Sequence, residues 1–413
     1  MENSRLHNWL FGLTTLAMAG LALMPMSQAV LATVVFGVLG LLWLFEKRFE
    51  GAHNKKNLLG FGLVVLWLGW GMISAFESPQ YAISIPYMLN LTALSLAGLV
   101  IGFRMKVEDR RKVVLLAGLV LSITVAYSLW RFAELNKAAS PPFFQDTNFL
   151  SAAAVLLLPF LTAFAWKERK RWTGWMAFGM MILMVVAIVI FRSRAAWLSL
   201  IAAALVVPVF VFPSKKWKIA WISAILIIAA GYFTFRMTRP SGAATTIDPI
   251  GQLKSIGELN HDFSNRERLM RWECAWRMAL KKPLFGEGPG RYPLIFKDYL
   301  KGPEEVNQIS YWFGWRFGAH SDSLTTLAEM GFLGFFAFVG VLIFTGFHAT
   351  AQVFRTRMGF SGATAALLGL LTWVVHGCFN DLLSSSFLVV WGFWMIGSVW
   401  KSRFVPNECK ASD

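Results

Sequence analysis

From Leu6 to Phe235, and again from Ser321 to Trp400, the chain is a series of apolar stretches of about 18–22 residues separated by polar breaks. A helix crosses the ~30 Å hydrocarbon layer of a bilayer in about 20 residues, so these stretches read as membrane spans. Setting apolar runs against polar breaks predicts twelve, at 8–24, 28–45, 57–76, 82–102, 113–132, 148–166, 172–190, 195–212, 217–235, 321–349, 361–379 and 383–400. Composition agrees. Only 15% of residues are charged, against ~25% in soluble domains, and 19 Trp and 36 Phe suit side chains that pack in lipid and sit at headgroup level. The expected fold is an all-α polytopic membrane protein of about twelve transmembrane helices, with one long insert between spans 9 and 10.

The net charge of +16 does not point to nucleic acid, because it lies in short clusters between the spans, where anionic lipid and the membrane potential account for it. The clusters also orient the chain. In a twelve-span arrangement, 22 Lys and Arg fall on one side, including Lys47/Arg48, Arg104 to Lys112, Lys167 to Arg171, Lys215 to Lys218 and Arg355/Arg357. The opposite connections are short with few positive charges, none in 77–80 and Arg131 and Lys137 near 131–147, which places both termini in the cytoplasm. Arg5 precedes the first span and no small-residue cleavage site follows it, so that span is expected to remain as an anchor. Cys274, Cys378 and Cys409 have neither metal-ligand spacing nor the pattern of a disulfide framework.

The exception to the short connections is the insert, which in a Gram-negative cell would face the periplasm. The chain therefore divides into helices 1–9 (1–235), the insert with its amphipathic helix (236–319), and helices 10–12 with the tail (320–413). The insert holds thirteen Lys and Arg against nine Asp and Glu. Leu269, Trp272, Trp276 and Leu280 recur at helical spacing, predicting an amphipathic helix that either packs on the bundle or lies in the membrane interface. Pro283 stops it, and Gly286-Glu-Gly-Pro-Gly-Arg-Tyr follows as a tight turn whose glycines permit close backbone approach to a ligand. Arg268 stands near the start of the helix and Arg291 follows the turn.

Other polar groups gather at the same edge. Arg192 and Arg194 sit between two apolar spans with almost no loop to hold them, so each either snorkels to the headgroups or faces an aqueous cavity. Asp146 and Asn148 enter a span, where helix capping is the simpler reading. His320 opens the tenth span, and its imidazole can take a proton from a hydroxyl. His376 and Asp381 either line the same cavity or bond one helix to another.

Taken in order, Phe144-Gln-Asp-Thr-Asn, Ser193-Arg-Ala-Ala-Trp, Arg268-x-x-x-Trp272, Pro283-Leu-Phe-Gly-Glu-Gly-Pro-Gly-Arg-Tyr and His320-Ser-x-x-Leu-x-x-Leu-x-Glu-x-Gly-x-x-Gly resemble the O-antigen ligase family, most clearly over residues 143–400. One departure is Ser321, where many relatives carry Asn. The resemblance implies a metal-independent glycosyl transfer in the periplasm, with no cofactor. The donor would be a glycan on undecaprenyl diphosphate, and the acceptor a sugar hydroxyl of lipid A–core. On that reading His320 acts as base, Arg194 and Arg268 hold the diphosphate, and Arg192, Arg266, Arg291, Asp146 and Asn148 are further substrate-binding candidates. The alternatives are an O-antigen polymerase of the same superfamily, a protein O-oligosaccharyltransferase, and a lipid-glycan transporter.

Overall fold

The computed structural model describes residues 2–23, 29–45, 55–135, 147–191, 193–212, 214–224, 227, 263–302, 318–355 and 359–401. Helices joined by turns make up these residues. In chain order they are α1 (Glu2–Leu23), α2 (Ala29–Phe45), α3 (Lys55–Phe76), α4 (Tyr81–Arg104), α5 (Val107–Leu135), α6 (Thr147–Lys167), α7 (Trp172–Phe191) and α8 (Arg194–Val211). After them come α9 (Phe263–Lys281), the short α10 (Tyr292–Ile295), α11 (Asp322–Arg355), α12 (Gly362–Gly377) and α13 (Ser386–Lys401). Seven of these, α3 to α8 and α11, are long and apolar enough to cross a membrane, and they coincide with seven of the predicted spans. α2, α12 and α13 are shorter apolar helices. The predicted span at 217–235 is described only in its first part, where residues 215–224 are helical.

Two helices form the centre of the bundle. α13 is apolar on every side and buried from Phe387 to Trp400, and α6 is buried continuously from Phe149 to Leu157. A helix without a polar face has to be surrounded by others. α4 lies directly on α13, and Gly98 and Gly102, one turn apart, permit the approach. A methyl group on Gly102 would overlap the backbone carbonyl of Trp394, and one on Gly397 would overlap that of Leu99. Backbones brought this close gain van der Waals contact where lipid provides no hydrophobic drive between helices. Trp67 stacks on Phe393 with ring centroids 5.6 Å apart, joining α3 to the same core.

α11 is broken once, at Gly331, whose backbone (φ 68°, ψ −172°) is not helical. The break leaves carbonyls without helical partners, and the segment after α9 supplies them. The amides of Glu287 and Gly288 donate to the carbonyls of Ala328 (2.9 Å) and Glu329 (3.0 Å), and Phe332 N–H donates to Pro283 O (2.8 Å). Trp70 Nε1 of α3 donates to the carbonyls of Met330 (3.1 Å) and Leu284 (3.2 Å), and Ser74 Oγ donates to Phe285 O and Glu329 O. Gly331 is required on two counts. Its φ is in the left-handed region, and a Cβ would overlap the carbonyl of Leu284.

α9 forms as predicted, and it packs on α11 through a face other than most of the apolar stripe. Arg271, Cys274, Ala275 and Met278 are buried against Tyr292, Phe296, Ala319 and Ala328. Of the four residues of the predicted apolar stripe, Leu269, Trp276 and Leu280 are exposed, at 41%, 47% and 59%, while Trp272 is half-buried. Small side chains and one buried ion pair let the helix lie close to α11, so the bulky apolar residues point outward.

Candidate active site

The site is built where the start of α11 meets the turn after α12. Residues 318–321 wrap around the carboxylate of Asp381, which is 6% exposed. Asp381 accepts from the backbone N–H groups of His320 (3.0 Å) and Ser321 (3.2 Å) and from Thr325 Oγ1 (2.6 Å). Thr325 Oγ1 in turn accepts from Ala319 N–H at 2.9 Å. His320 is held with φ 54°, the one described non-glycine residue with positive φ. The carboxylate clamp holds the backbone in this conformation. One turn on, Asp322 Oδ1 accepts from Leu383 N–H at 2.9 Å and ties α11 to the same turn. Burial raises the Asp381 pKa above its ordinary value, and the bonds from Thr325 and His320 and the charge of Arg271 offset part of that rise.

Arginines of α9 act on this turn, and one from α8 bonds to the start of the same helix. Arg271, 1% exposed, donates through Nε (3.1 Å) and Nη2 (2.9 Å) to Glu267 Oε1, and through Nη1 to Gly318 O (3.3 Å). Its guanidinium lies over the Phe296 ring, 4.6 Å from the centroid. Arg268, one turn earlier, acts electrostatically on both His320 and His376. Arg194 opens α8 and donates to Asn265 Oδ1 at 3.0 Å, so α8 and α9 are joined at this point. His376 is fully buried at the end of α12, with Nδ1 3.3 Å from Asn380 Nδ2 and Nε2 without a hydrogen-bond partner. The His320 pKa is lowered to about 3, first by burial and then by the charges of Arg271 and Arg268. Its imidazole is therefore neutral at physiological pH, with a lone pair available to accept a proton.

The glycine turn is close to the site but faces elsewhere. The close approach made at Gly286 is to the backbone of Glu329, where a Cβ would overlap. Glu329, buried on α11, accepts from Tyr292 N–H at 2.9 Å, and the Tyr292 hydroxyl donates to Arg271 O at 2.6 Å. Arg291 is buried and donates through Nη1 to Glu287 O (2.7 Å), and through Nε to Gln80 (3.4 Å) at the entry to α4. Glu287 also receives Lys282 at 3.0 Å and the Tyr299 hydroxyl at 2.5 Å. Burial pushes the Glu287 carboxyl up, but Tyr299, Lys282 and Arg291 outweigh it and hold the group below its ordinary pKa.

The residues singled out in the sequence thus fall into three sets. His320 comes together with Asp381, Arg271 and Arg268, while Arg194 bonds to Asn265 in the first turn of α9. Arg291 belongs to the glycine turn, and Arg266 lies on α9, half-buried. Asn148 is half-buried in the first turn of α6, while Asp146 and Arg192 lie outside the described residues. Arg271 and Thr325 did not stand out in the sequence. The signal available for Arg271 was its i,i+4 spacing from Glu267.

No curated protein matches the chain. A sequence model of the family described as O-antigen ligase matches residues 179–339, from within α7 to the middle of α11. That span holds Arg194, Arg268, the glycine turn, His320 and Glu329, and it supports membership of the O-antigen ligase family for this chain.

Proposed function

We propose that this membrane protein is an O-antigen ligase, moving a glycan from undecaprenyl diphosphate to a sugar hydroxyl of lipid A–core on the periplasmic face. The family supports a membrane glycosyltransferase-type enzyme acting on lipid-linked glycan. What carries the finer reading is one juxtaposition: a neutral imidazole on a clamped backbone, with Arg268 and Arg271 acting on it and Arg194 joined to the same helix.

In this mechanism His320 takes the proton of the acceptor hydroxyl as its oxygen attacks the anomeric carbon. The bond from that carbon to the diphosphate breaks on the opposite face, its electron pair leaves with undecaprenyl diphosphate, and the anomeric centre inverts. Arg194 and Arg268 bear on the charge that grows on the leaving group, a contribution typical of preorganised charge in a site shielded from water. Arg268 and Arg271 also keep the free imidazole unprotonated. An arriving diphosphate offsets their charge and raises the imidazole's basicity, so the base gains strength once donor is bound. Asp381 and Arg271 are positioning residues. Activation comes from the diphosphate leaving group, without nucleotide or metal. Twelve spans with cytoplasmic termini, and α9 closing the site from outside as a lid, complete the proposal.

The test is in vivo. His320→Asn, Arg194→Ala and Arg268→Ala each abolish capped lipopolysaccharide while the protein still inserts, and wild-type capping by all three sinks the assignment. The null strain accumulates long carrier-linked glycan. Single repeats attached to core would instead indicate a polymerase.

A further inference from the structure

A second cavity lies at the other end of the bundle. α11 runs from the His320 site at Asp322 to this end at Arg355, and α12 runs back from Gly362. Between α5, α6, α11, α12 and α13 lies a cavity of about 650 Å³. Its walls are apolar, including Val114, Phe160, Phe164, Ala366 and Trp394, and four cations line it: Arg110, Arg111, Lys167 and Arg355. Among the described residues no Asp or Glu lines it. Asp109 faces His7 and Lys112 instead, and Glu168 pairs with Arg171.

Among the described residues Arg110 has no carboxylate partner. Nη1 donates to Ser398 O at 3.1 Å and Nη2 to Gly102 O at 2.9 Å, while Nε is buried with no partner. A guanidinium kept charged at the head of an apolar chamber needs an anion. Trp166 lines the cavity and is 55% exposed, and Trp172 and Trp175 are exposed just beyond it, as side chains at headgroup level are. The predicted orientation puts this end in the cytoplasmic leaflet, which carries anionic lipid.

From charge complementarity and the apolar walls we infer that this cavity binds one anionic phospholipid, its phosphate against Arg110, Arg111 and Lys167 and its proximal chains against Phe160, Phe164 and Trp394. Basic pockets between transmembrane helices take lipid headgroups in this way. The inference stands apart from the glycosyl-transfer reading, and lipid retention is measured without activity.

The experiment is native mass spectrometry of the full-length protein in a mild detergent, with dioleoyl-phosphatidylglycerol, dioleoyl-phosphatidylcholine or inorganic phosphate as probe. The wild type retains one phosphatidylglycerol and does not retain phosphatidylcholine at the same concentration. Arg111→Gln with Lys167→Gln weakens retention by about fivefold for each cation removed. Ala363→Trp, which fills the cavity from α12 and leaves every cation in place, also lowers retention. Equal retention of the two lipids, or unchanged retention in both variants, overturns the proposal. Displacement of the lipid by millimolar inorganic phosphate overturns it in favour of a plain anion site, and tighter binding of a polyprenyl monophosphate overturns the choice of occupant.

Discussion

A non-glycine residue in the left-handed region costs about 1–3 kcal/mol, and His320 is kept there by Asp381. Asp381→Ala leaves two N–H groups and a hydroxyl without their acceptor, each loss worth about 1–3 kcal/mol when buried. It should lower the melting temperature and cut kcat while leaving donor KM nearly unchanged; an unaltered kcat contradicts the positioning role. His320→Asn is the cleaner probe of the imidazole itself, since Asn tolerates positive φ. The low His320 pKa sets the pH behaviour. In the unfolded chain the imidazole titrates near 6.5, so the stability tied to its neutral form is complete above that pH. It is lost as pH falls from about 6.5 toward 3. Unfolding midpoints measured between pH 8 and 4 should fall through this window, and His320→Asn should flatten the fall. At this scale the sequence marked a histidine at a span's edge and Arg194 with no loop to hold it, and the structure sets the first on Asp381 and the second on Asn265. Arg271 and Thr325 were invisible, because their importance comes from contacts with Gly318, Ala319 and Asp381, remote in sequence.

Between elements, the main finding is that two separate motifs form one joint. The glycine turn after α9 fills the break in α11, and Glu329 and Gly331 of the second motif exist to receive it. Gly331→Ala should therefore destabilise by at least about 2 kcal/mol, from strain and overlap with Leu284 together. Gly62→Ala, on an exposed face of α3 with open space around it, should be neutral or stabilising by up to about 1 kcal/mol. Thermal unfolding of both variants in detergent checks the contrast, and equal midpoints would contradict it. The existence of α9 was legible from its period of hydrophobic residues, but its buried face was not. Periodicity locates a stripe and cannot say whether protein or lipid covers it. Leu269, Trp276 and Leu280 are the exposed stripe, while Cys274, Ala275 and Met278 are buried because they are narrow enough to let α11 approach.

For the whole molecule, span length and composition made the bundle readable, because a bilayer admits few alternatives to apolar helices. The core could not be read this way, since α4, α6, α13 and the lipid-facing helices are similarly apolar. Backbone contact through Gly98, Gly102 and Gly397 distinguishes α4 and α13, which lie directly on one another. The proposed orientation predicts that Cys378, exposed in the turn beside the site, reacts with an impermeant maleimide added outside spheroplasts. Its thiol pKa is raised by burial and by Asp322, so labelling is faster at alkaline pH. Cys274, buried, stays unreactive, and Cys409 in the tail reacts only after permeabilisation. Labelling of Cys378 from the inside alone would invert the topology. The central claim is that His320 carries the proton of a transfer from a lipid diphosphate. It is tested most directly by reconstituting the purified protein with undecaprenyl-diphosphate-linked glycan and lipid A–core and measuring single-turnover transfer. His320→Asn should lower the rate by about 10²- to 10⁴-fold with donor still bound, whereas transfer at the wild-type rate would contradict the account.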